Sequence, residues 1–392
     1  IAYAIMIIMI KREITKELLV QLQEYPIVTV LGPRQSGKTT LVRNVLPEYD
    51  YVSLEDPDNR ELAIEDPKAF LKRYQGKTIF DEIQRTPDLL SYLQGIVDNE
   101  NINGRFVLTG SHQLELRAAV SQSLAGRTGV LHLLPLSIAE LKPASIEFDD
   151  FESYVVHGFL PRIYDQNQRP NRAYSNYYQT YIERDVRQLI KLKDVSLFEK
   201  FMKLLSGRVG QLVDYQSLGN DVGVSSVTIK QWLSILEASF VVFKLPPYFE
   251  NFGKRAIKSP KYYFTDVGLL AYLLGIEKPE QVSRDPLVGN IFENLIVIEA
   301  LKSRYNQGHN ADLYFFRDSN GVEIDLLCKT TQGLIGVEVK SSSTWHAKFA
   351  KGLLAFSKSN SQLSRSIVAY SGKSIDLSNG VEVVEYKQFS IY

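Results

Sequence analysis

The stretch LGPRQSGKTT, residues 31–40, constrains the fold of this 392-residue chain more than any other part of its sequence. The run before it, residues 27–31, is apolar and β-branched, which is typical of a strand buried in a parallel sheet. The run after it, residues 39–45, repeats its apolar residues at helical spacing. Between them lies the pattern G-x-x-x-x-G-K-[ST], at Gly32, Gly37, Lys38 and Thr39. Strand, glycine loop and helix in this order predict an α/β fold with a parallel sheet.

A loop of this kind is suited to bind phosphate. Its glycines let the backbone wrap a phosphate chain, and the amino terminus of the next helix adds unpaired N–H groups and a favourable dipole. Lys38 would reach the β and γ phosphates of a nucleotide, and the Thr39 hydroxyl would bind Mg²⁺. We therefore predict that ATP and Mg²⁺ are held by nine consecutive residues: Gly32, Pro33, Arg34, Gln35, Ser36, Gly37, Lys38, Thr39 and Thr40.

Two carboxylates follow a second predicted strand, about forty residues after the glycine loop. Residues 77–80 read Lys-Thr-Ile-Phe, and Asp81 and Glu82 come next. Asp81 is predicted to complete the coordination of the metal, and Glu82 to polarise the attacking water as general base. Such pairs also occur on solvated loops. The position of this pair after the glycine loop favours the catalytic interpretation.

Small polar residues end the third predicted strand, residues 105–111. Ser111, or Thr109, could hydrogen-bond the γ-phosphate or the lytic water, and a turn or a helix N-cap is the competing interpretation of Ser111. A helical stretch comes next. Arg127 then stands just before the apolar strand of residues 129–134.

Residues 10–140 resemble the core of an AAA+ ATPase, a five-stranded parallel sheet with nucleotide at the carboxyl ends of its strands. The resemblance implies that Gly32–Thr39 is Walker A, that Asp81-Glu82 is Walker B and that Ser111 is sensor 1. An arginine before the last core strand of such proteins often acts as a finger on the neighbouring subunit's nucleotide. Arg127 matches that position. The role would require a homo-oligomer, and a structural salt bridge is the alternative.

The middle of the chain, residues 143–193, has a helical pattern. Four tyrosines fall at the spacing of one helix face: Tyr174, Tyr177, Tyr178 and Tyr181. We interpret this stripe as core packing rather than as a base-stacking surface. The charges of residues 183–185, Glu-Arg-Asp, are expected to pair within the helix or against the ATPase core.

Residues 214–237, DYQSLGNDVGVSSVTIKQWLSILE, predict two helices that meet at a tight turn. Gly223 ends the first helix, and Ser225 is the predicted N-cap of the second. Two strands are predicted to follow, over residues 239–245 and 261–264. Helix, glycine turn, helix and paired strands indicate a winged helix.

A basic segment lies between these two strands. The chain has 45 basic and 45 acidic residues, so any basic surface must be local. Duplex DNA is the predicted partner of four cations within eight residues: Lys254, Arg255, Lys258 and Lys261. Protein docking is the alternative, because the second helix offers only Lys230 and Gln231 as polar readers, and Trp232 is as readily packed.

The carboxyl-terminal region is predicted to begin with an amphipathic helix, residues 286–305. Three strands are predicted after it, at residues 312–317, 322–328 and 334–340. Asn320-Gly321 predicts a tight hairpin between the first two strands.

Charged residues occupy unusual places in these strands. Asp325 interrupts an apolar run, and Glu338 and Lys340 share one face of the last strand. With Glu293 from the helix, they resemble the PD-(D/E)XK restriction-endonuclease-like fold. The resemblance implies that carboxylates, chiefly Asp325 and Glu338, hold the metal that activates water against a phosphodiester, and that the lysine positions that water. Alternating charges on a strand also occur on solvent-facing sides, and an intact motif does not establish cleavage.

Nearly the whole chain, residues 10 to about 390, resembles bacterial and archaeal AAA-type ATP-binding proteins with a carboxyl-terminal region of largely unassigned function. The resemblance is carried by GPRQSGKTT, IFDEIQ, LTGS, SLAGR, YIERDV, KRAIKSPKYYFTD, GVEIDLL and EVKSS. Three functions remain open. The chain could be an ATPase that binds DNA and cuts it, an ATP-dependent regulatory or scaffold protein whose nuclease-like domain only docks a partner, or a transcription regulator whose winged helix is switched by ATP.

The predicted domain organisation has five parts. They are an upstream extension (1–8), an AAA+ P-loop ATPase domain (9–142), a helical connector (143–195), a winged helix (196–280) and a PD-(D/E)XK nuclease-like domain (281–392).

Composition supports a globular protein, with 44% hydrophobic and 23% charged residues. A single cysteine, Cys328, excludes a disulfide framework and fits a reducing cytosol, so we expect a cytoplasmic location. The apolar residues 1–10 are too few to cross a bilayer, which needs about twenty. No small-residue cleavage site follows them, so we expect neither a signal peptide nor a membrane partner.

Overall fold

The structure, a computed structural model, describes residues 10–111, 123–186, 195–248, 259–318 and 321–392. The predicted extension, the helix after Ser111 and three of the four basic residues (Lys254, Arg255 and Lys258) lie outside the described residues. So do Asn320 of the predicted hairpin and the side chains of residues 183–185.

The first sheet has five parallel strands in the order β2-β3-β4-β1-β5. Its strands are β1 (Ile27–Leu31), β2 (Asp50–Ser53), β3 (Thr78–Asp81), β4 (Phe106–Gly110) and β5 (Thr128–His132). Strand β1 is central, and Ile27 lies level with Phe106 on one side and with Thr128 on the other. The predicted parallel sheet is confirmed.

Helices cover both faces of this sheet. They are α1 (Thr15–Glu24), α2 (Lys38–Val45), α3 (Pro57–Glu65), α4 (Pro67–Lys72), α5 (Leu89–Glu100) and α6 (Ile138–Leu141). Alternate residues of β1 enter two different hydrophobic clusters, with Val28 and Val30 in one and Ile27 and Leu31 in the other. Burial on both faces explains the unbroken apolar sequence of β1.

The middle region is helical, as predicted. It contains α7 (Phe151–His157), α8 (Pro161–Asp165), α9 (Pro170–Tyr177), a π-helix (Tyr178–Val186) and α10 (Val195–Ser206). All four tyrosines of the stripe are buried, so the prediction of core packing is confirmed. The change from α to π geometry at Tyr178 was not predicted, because the tyrosine spacing fits an uninterrupted α-helix.

Two short helices and a two-stranded antiparallel sheet follow. They are α11 (Tyr215–Val222), α12 (Ser226–Ala238), β6 (Val242–Leu245) and β7 (Lys261–Phe264), and then come α13 (Val267–Leu273) and α14 (Pro279–Arg284). Gly223 ends α11 in the left-handed region, with φ of 98°. Ser225 caps α12 by accepting a 3.1 Å hydrogen bond from the Thr228 N–H. Both residues have the predicted local roles.

The carboxyl-terminal sheet has the order β12-β11-β10-β9-β8. It contains α15 (Val288–Asn306), β8 (Leu313–Arg317), β9 (Glu323–Thr330), β10 (Gly333–Lys340), α16 (Lys351–Ser359), β11 (Leu363–Tyr370) and β12 (Val381–Glu385). Strands β8, β9 and β10 are antiparallel neighbours, whereas β10, β11 and β12 run parallel. The prediction that α15 is amphipathic was wrong, because its side chains are buried around most of its circumference.

Short 3₁₀ helices lie at Ile83–Arg85, Lys142–Ala144, Ala347–Ala350 and Tyr386–Gln388. No helix in the part of the chain that the structure describes is both long and apolar enough to span a membrane.

One hydrophobic core connects the first sheet with the regions that follow it. Helix α15 contacts the segment after β5, where Lys302 Nζ donates to the Leu136 carbonyl at 2.7 Å and Glu299 accepts from the Ile138 N–H at 2.8 Å. Asp266, at the start of α13, accepts a 2.8 Å hydrogen bond from the Tyr174 hydroxyl. Buried polar contacts therefore fix the middle and carboxyl-terminal regions against the first sheet.

Candidate functional site

The glycine loop lies between the end of β1 and the first turn of α2. Gly37 has φ of 90°, which glycine adopts without strain, and α2 begins at the next residue. A Cβ at Gly32 would collide with the carbonyl oxygen of Leu133, so only glycine fits there. The two glycines of the motif are therefore required for different reasons. Gly37 is required by its backbone conformation, and Gly32 by the close approach of the Leu133 carbonyl.

Lys38 lies inside this loop and is buried. Its Nζ donates to the carbonyl oxygens of Gly32 at 3.0 Å and Pro33 at 2.8 Å. Burial lowers the pKa of Lys38 to about 8, although the carboxylates of Glu82 and Asp81 act in the opposite direction. Both of these hydrogen bonds from the ammonium group are to neutral carbonyl groups, so its charge can still be stabilised by a bound anion.

Asp81, the last residue of β3, is the centre of a hydrogen-bond cluster. The Thr39 hydroxyl lies 3.0 Å from both carboxylate oxygens, and Thr109 donates to Oδ1. The Tyr51 hydroxyl of β2 donates to Oδ2 at 2.7 Å. Burial, followed by the hydrogen bond to Asp81, raises the pKa of Tyr51 above its ordinary value, so it remains a donor at neutral pH.

The oxygen atoms of Thr39 and Asp81 fit a magnesium ion. Mg²⁺ prefers hard oxygen ligands, and it usually takes one or two from the protein and the rest from water and phosphates. These two side chains come from different elements and already touch, so they could hold one ion between them.

Glu82 follows Asp81 in a left-handed conformation, with φ of 59°. Its N–H donates to the Thr109 hydroxyl at 3.2 Å, and its Oε2 accepts from the Ser111 hydroxyl at 3.3 Å. The structure thus brings together Lys38, Asp81, Glu82 and Ser111. They lie where β1, β3 and β4 end, at the carboxyl ends of the strands.

Arg12 supports the loop from outside, and the sequence did not reveal it. Its guanidinium donates to the Ser36 carbonyl at 2.6 Å, to the Leu134 carbonyl at 2.7 Å and to Glu140 Oε1 at 2.9 Å. The Arg12 side chain is buried. It therefore ties the glycine loop to the segment after β5 and to α6.

Arg34, on the outer side of the loop, faces two other regions. Its guanidinium lies 3.8 Å from the carboxylate of Glu55, which is also 3.8 Å from Arg85. It lies 5.9 Å from the ring centroid of Tyr181 in the π-helix. The loop is thus in contact with the segment after β2, through Glu55, and with the middle region, through Tyr181.

A cavity of about 550 Å³ opens on the other side of the loop. The walls include Gly37, Thr40 and Leu41 of the loop and α2, together with Pro161 and Asp165 of α8. This volume lies within the usual range for small-molecule sites. A group attached to a phosphate chain on the loop would extend into this cavity.

Arg127 lies at the other end of the strands, where they begin. Its carbonyl accepts from the Ile27 N–H at 3.2 Å, which places it level with the start of β1. Its guanidinium makes two hydrogen bonds to Asp98 of α5, at 2.5 Å and 3.0 Å. Arg127 therefore cannot contact the loop of its own chain, and the alternative of a salt bridge has a defined partner.

The carboxyl-terminal charges also form a cluster. Lys340 Nζ lies 2.7 Å from Glu338 Oε2 and 3.2 Å from Asp325 Oδ2. Burial, and then the charge of Asp325, raise the pKa of Glu338, whereas Lys340 opposes the shift. The structure therefore brings three of the four predicted residues into direct contact.

Glu293, the fourth, pairs with β7. Its Oε1 accepts from Lys261 Nζ at 3.1 Å and from the Tyr263 hydroxyl at 2.5 Å. Burial, and then Asp325, raise the pKa of Glu293. Among the described residues there is no group of three or more histidine, cysteine, aspartate or glutamate side chains that could hold a metal ion.

The assignment of Lys261 to a DNA-binding surface was wrong. Its side chain is buried, and it also lies 3.2 Å from Glu323. Burial would lower the pKa of Lys261, but the surrounding carboxylates raise it above its ordinary value. The sequence showed a cation among other cations, and only the fold shows that this one points inward. On α12, Lys230 and Gln231 are exposed and Trp232 is buried.

Comparison with known families identifies the domain that carries the glycine loop. Residues 24–142 match the AAA domain. Residues 148–280 and 288–389 match two domains of unknown function, DUF8612 and DUF4143. The part of the chain that carries the glycine loop therefore matches an AAA-type domain.

Relatives extend over most of the chain. An uncharacterized protein of Mycobacterium tuberculosis, Rv2008c, is 31% identical over 338 residues, which are 85% of this chain and 74% of the relative. An uncharacterized protein of Haemophilus influenzae is 23% identical over 368 residues, 84% of this chain and 86% of that one. The Walker-type ATPase of Pyrococcus abyssi aligns with this structure with a TM-score of 0.41 and 15% identity, over 68% of this chain and 96% of its own. The chain belongs to the family of the mycobacterial protein.

Proposed function

We propose that the AAA-type domain binds ATP with Mg²⁺ and hydrolyses it where β1, β3 and β4 end. The observation that carries this proposal is the contact between the Thr39 hydroxyl and both Asp81 oxygens, at 3.0 Å, beside the buried ammonium of Lys38. A buried cation that contacts carbonyl groups gains free energy when an anion arrives. The phosphates of ATP are such an anion.

Each side chain then has a role in hydrolysis. Lys38 binds the β and γ phosphates, and a bound phosphate raises the depressed pKa of this lysine and keeps it charged. Thr39 and Asp81 would hold Mg²⁺, and the ion would supply positive charge that stabilises the phosphate oxygens. Glu82 polarises the attacking water, and Ser111 donates a hydrogen bond to the γ-phosphate or to that water. The cavity beside Gly37 would accommodate the adenine of ATP.

Two variants and a control test this proposal. Lys38→Ala should abolish the heat of Mg·ATP binding in calorimetry, whereas Glu82→Gln should bind ATP within about twofold of wild type and lose about a hundredfold in phosphate release. Lys68→Ala, an exposed lysine on α4, should behave as wild type. Unchanged turnover in Glu82→Gln would show that another group is the base. The absence of any Mg·ATP heat from folded wild-type protein would refute the proposal.

We propose further that the regions after residue 142 contact duplex DNA. Binding and hydrolysis of ATP would change the conformation of these regions. Support comes from the helix pair α11 and α12, where Lys230 and Gln231 are exposed, and from the basic sequence at Lys254, Arg255 and Lys258. Affinity for a short DNA duplex should fall steeply as salt rises, because phosphate contacts release counterions. A Lys254→Ala/Arg255→Ala variant should have a smaller salt slope than wild type. Equal slopes would exclude this segment as the DNA contact.

A second candidate function, an ATP-switched scaffold, is favoured by the charges around Asp325. The ammonium groups of Lys340 and Lys261 already pair with the carboxylates that a nuclease would use for metal. A nuclease should nick supercoiled plasmid in the presence of Mg²⁺ and lose that activity in Asp325→Ala and Glu338→Ala. A scaffold should leave the plasmid intact in all three proteins.

A further inference from the structure

We propose that Gln84 is a positioning residue for ATP hydrolysis, whose side-chain amide fixes the carboxylate of Glu82 so that one oxygen remains for the attacking water. This inference rests on the proposed function of Glu82 as the general base. It concerns the arrangement of that base rather than its identity.

The geometry places three side chains in one ring. Gln84 Nε2 donates to Glu82 Oε2 and lies 3.1 Å from the Ser111 hydroxyl, and that hydroxyl lies 3.3 Å from the same Glu82 oxygen. Both donors therefore converge on Oε2. No group among the described residues donates to Glu82 Oε1, which is the oxygen left to accept a proton from water.

The orientation of the Gln84 amide follows from its partners. A carboxylate accepts hydrogen bonds and cannot donate them when ionised, so the NH₂ end must face Glu82. The opposite orientation would place the amide oxygen against a carboxylate oxygen. Gln84 thus acts on Glu82 as a donor, and a side chain of equal size without a donor removes that action.

The backbone around this ring has features that cost folding free energy. Glu82 adopts a left-handed conformation that disfavours residues other than glycine, and the 3₁₀ turn after it brings Gln84 back over Glu82. Two buried oxygens of the same segment, Gln84 Oε1 and Thr86 Oγ1, have no hydrogen-bond partner among the described residues. A segment that served stability alone would not combine these features, because unpartnered buried oxygens and a strained φ both destabilise the fold.

The test is Gln84→Met, which preserves size and removes the donor. Turnover should fall about tenfold to a hundredfold, the range expected when a hydrogen bond to a charged group is lost, while the ATP dissociation constant stays within about twofold. Because Gln84 acts through Glu82, the same substitution in a Glu82→Gln background should change the remaining turnover by less than about twofold. Gln75→Met, at an exposed glutamine whose amide donates to the Lys72 carbonyl, is the matched control and should leave turnover unchanged.

Each outcome decides the matter. If Gln84→Met retains wild-type turnover, or if it lowers turnover equally with and without Glu82, then Gln84 does not position the base. Gln84→Ala gives the same comparison should the methionine variant fail to fold. If wild-type protein binds and hydrolyses no ATP, the proposed function itself fails, and this result is separate from a wild type that hydrolyses ATP and is insensitive to Gln84.

Discussion

The proposed nucleotide site and the carboxyl-terminal cluster both contain a lysine and carboxylates, but these charges are paired in different ways. Lys38 donates to two backbone carbonyls, and Asp81 accepts from hydroxyl groups. In the second cluster, Lys340 contacts Asp325 and Glu338 directly. Charges are therefore left for a ligand in the first region and are already paired in the second.

This difference shows that residue type and spacing do not determine whether a charged cluster binds a ligand. Neutral dipoles hold an ion in place without cancelling its charge, whereas an opposite charge cancels it. We expect the first cluster to respond strongly to loss of its lysine in binding assays. The second should respond in stability instead.

The largest expected effect is on nucleotide binding by Lys38→Met. Removing the ammonium should weaken ATP binding about a thousandfold, because several charge-assisted hydrogen bonds to the phosphates are lost together. Lys340→Met is the matched control in the other cluster and should leave the ATP dissociation constant within about twofold. Titration calorimetry with Mg·ATP measures both. A large loss in Lys340→Met would mean that the two regions are coupled through nucleotide binding.

The next largest effect is on the stability of Lys261→Met. This change leaves Glu293 and Glu323 without their buried cation, and we expect a loss of about 3 kcal/mol in the free energy of unfolding. Adding Glu293→Gln should restore part of the loss, because the uncompensated charge is removed. Urea unfolding of the two variants and wild type measures this. An unchanged stability of Lys261→Met would show that the pair contributes nothing.

The stability lost in Lys261→Met should also depend on pH. In the folded chain the pKa of Glu293 lies above its ordinary value of 4.5, so the folded state binds its proton more tightly than the unfolded state. The contribution of this group to stability is therefore full at low pH and is lost as pH rises through the raised pKa. Without Lys261, which lowers that pKa, it rises further. Lys261→Met should be closer to wild type in urea stability at pH 5 than at pH 8, and the reverse order would contradict the assignment.

A smaller effect is expected for Tyr51→Phe at the proposed nucleotide site. The Tyr51 hydroxyl orients the Asp81 carboxylate, and loss of such a hydrogen bond, worth about 1 kcal/mol, should raise the Mg²⁺ concentration needed for half-maximal nucleotide binding about fivefold. Tyr49→Phe is the matched control, since its hydroxyl donates at 2.7 Å to the Gly104 carbonyl away from Asp81. Equal Mg²⁺ dependence in both variants would exclude a role for Tyr51.

The parts of the proposed nucleotide site that the sequence predicts are those that lie close together in the chain or follow a strand. Lys38, Thr39 and Asp81 could be found because a glycine loop and a strand end are local patterns. Arg12 and Tyr51 could not. Each reaches the site through a contact between residues at least 24 positions apart, and neither is marked by a motif.

A similar limit applies to the fold. Strands β1, β3 and β4 are buried on both faces, so their apolar sequences predict them. Strand β2 lies at the edge of its sheet, and only Val52 is buried in its four residues, so periodicity is too weak to reveal it. The burial of Lys261 depends on carboxylates from α15 and β9, which a local count of cations does not include.

The smallest expected effect concerns Arg127, which belongs to the AAA-type domain but is paired with a carboxylate, as Lys340 is in the second cluster. Its two hydrogen bonds to Asp98 are solvent-exposed, and exposed pairs contribute little to stability. Arg127→Ala and Asp98→Ala should therefore each lower the melting temperature slightly, and the double variant should lower it no further. Turnover should stay within about twofold in all three.

The interpretation of Arg127 as a finger on a neighbouring subunit requires a different pattern. Turnover per subunit would rise with protein concentration, and it would be lost in Arg127→Ala but not in Asp98→Ala. Phosphate release measured over a range of protein concentrations separates the two, because only a group acting between subunits depends on their association.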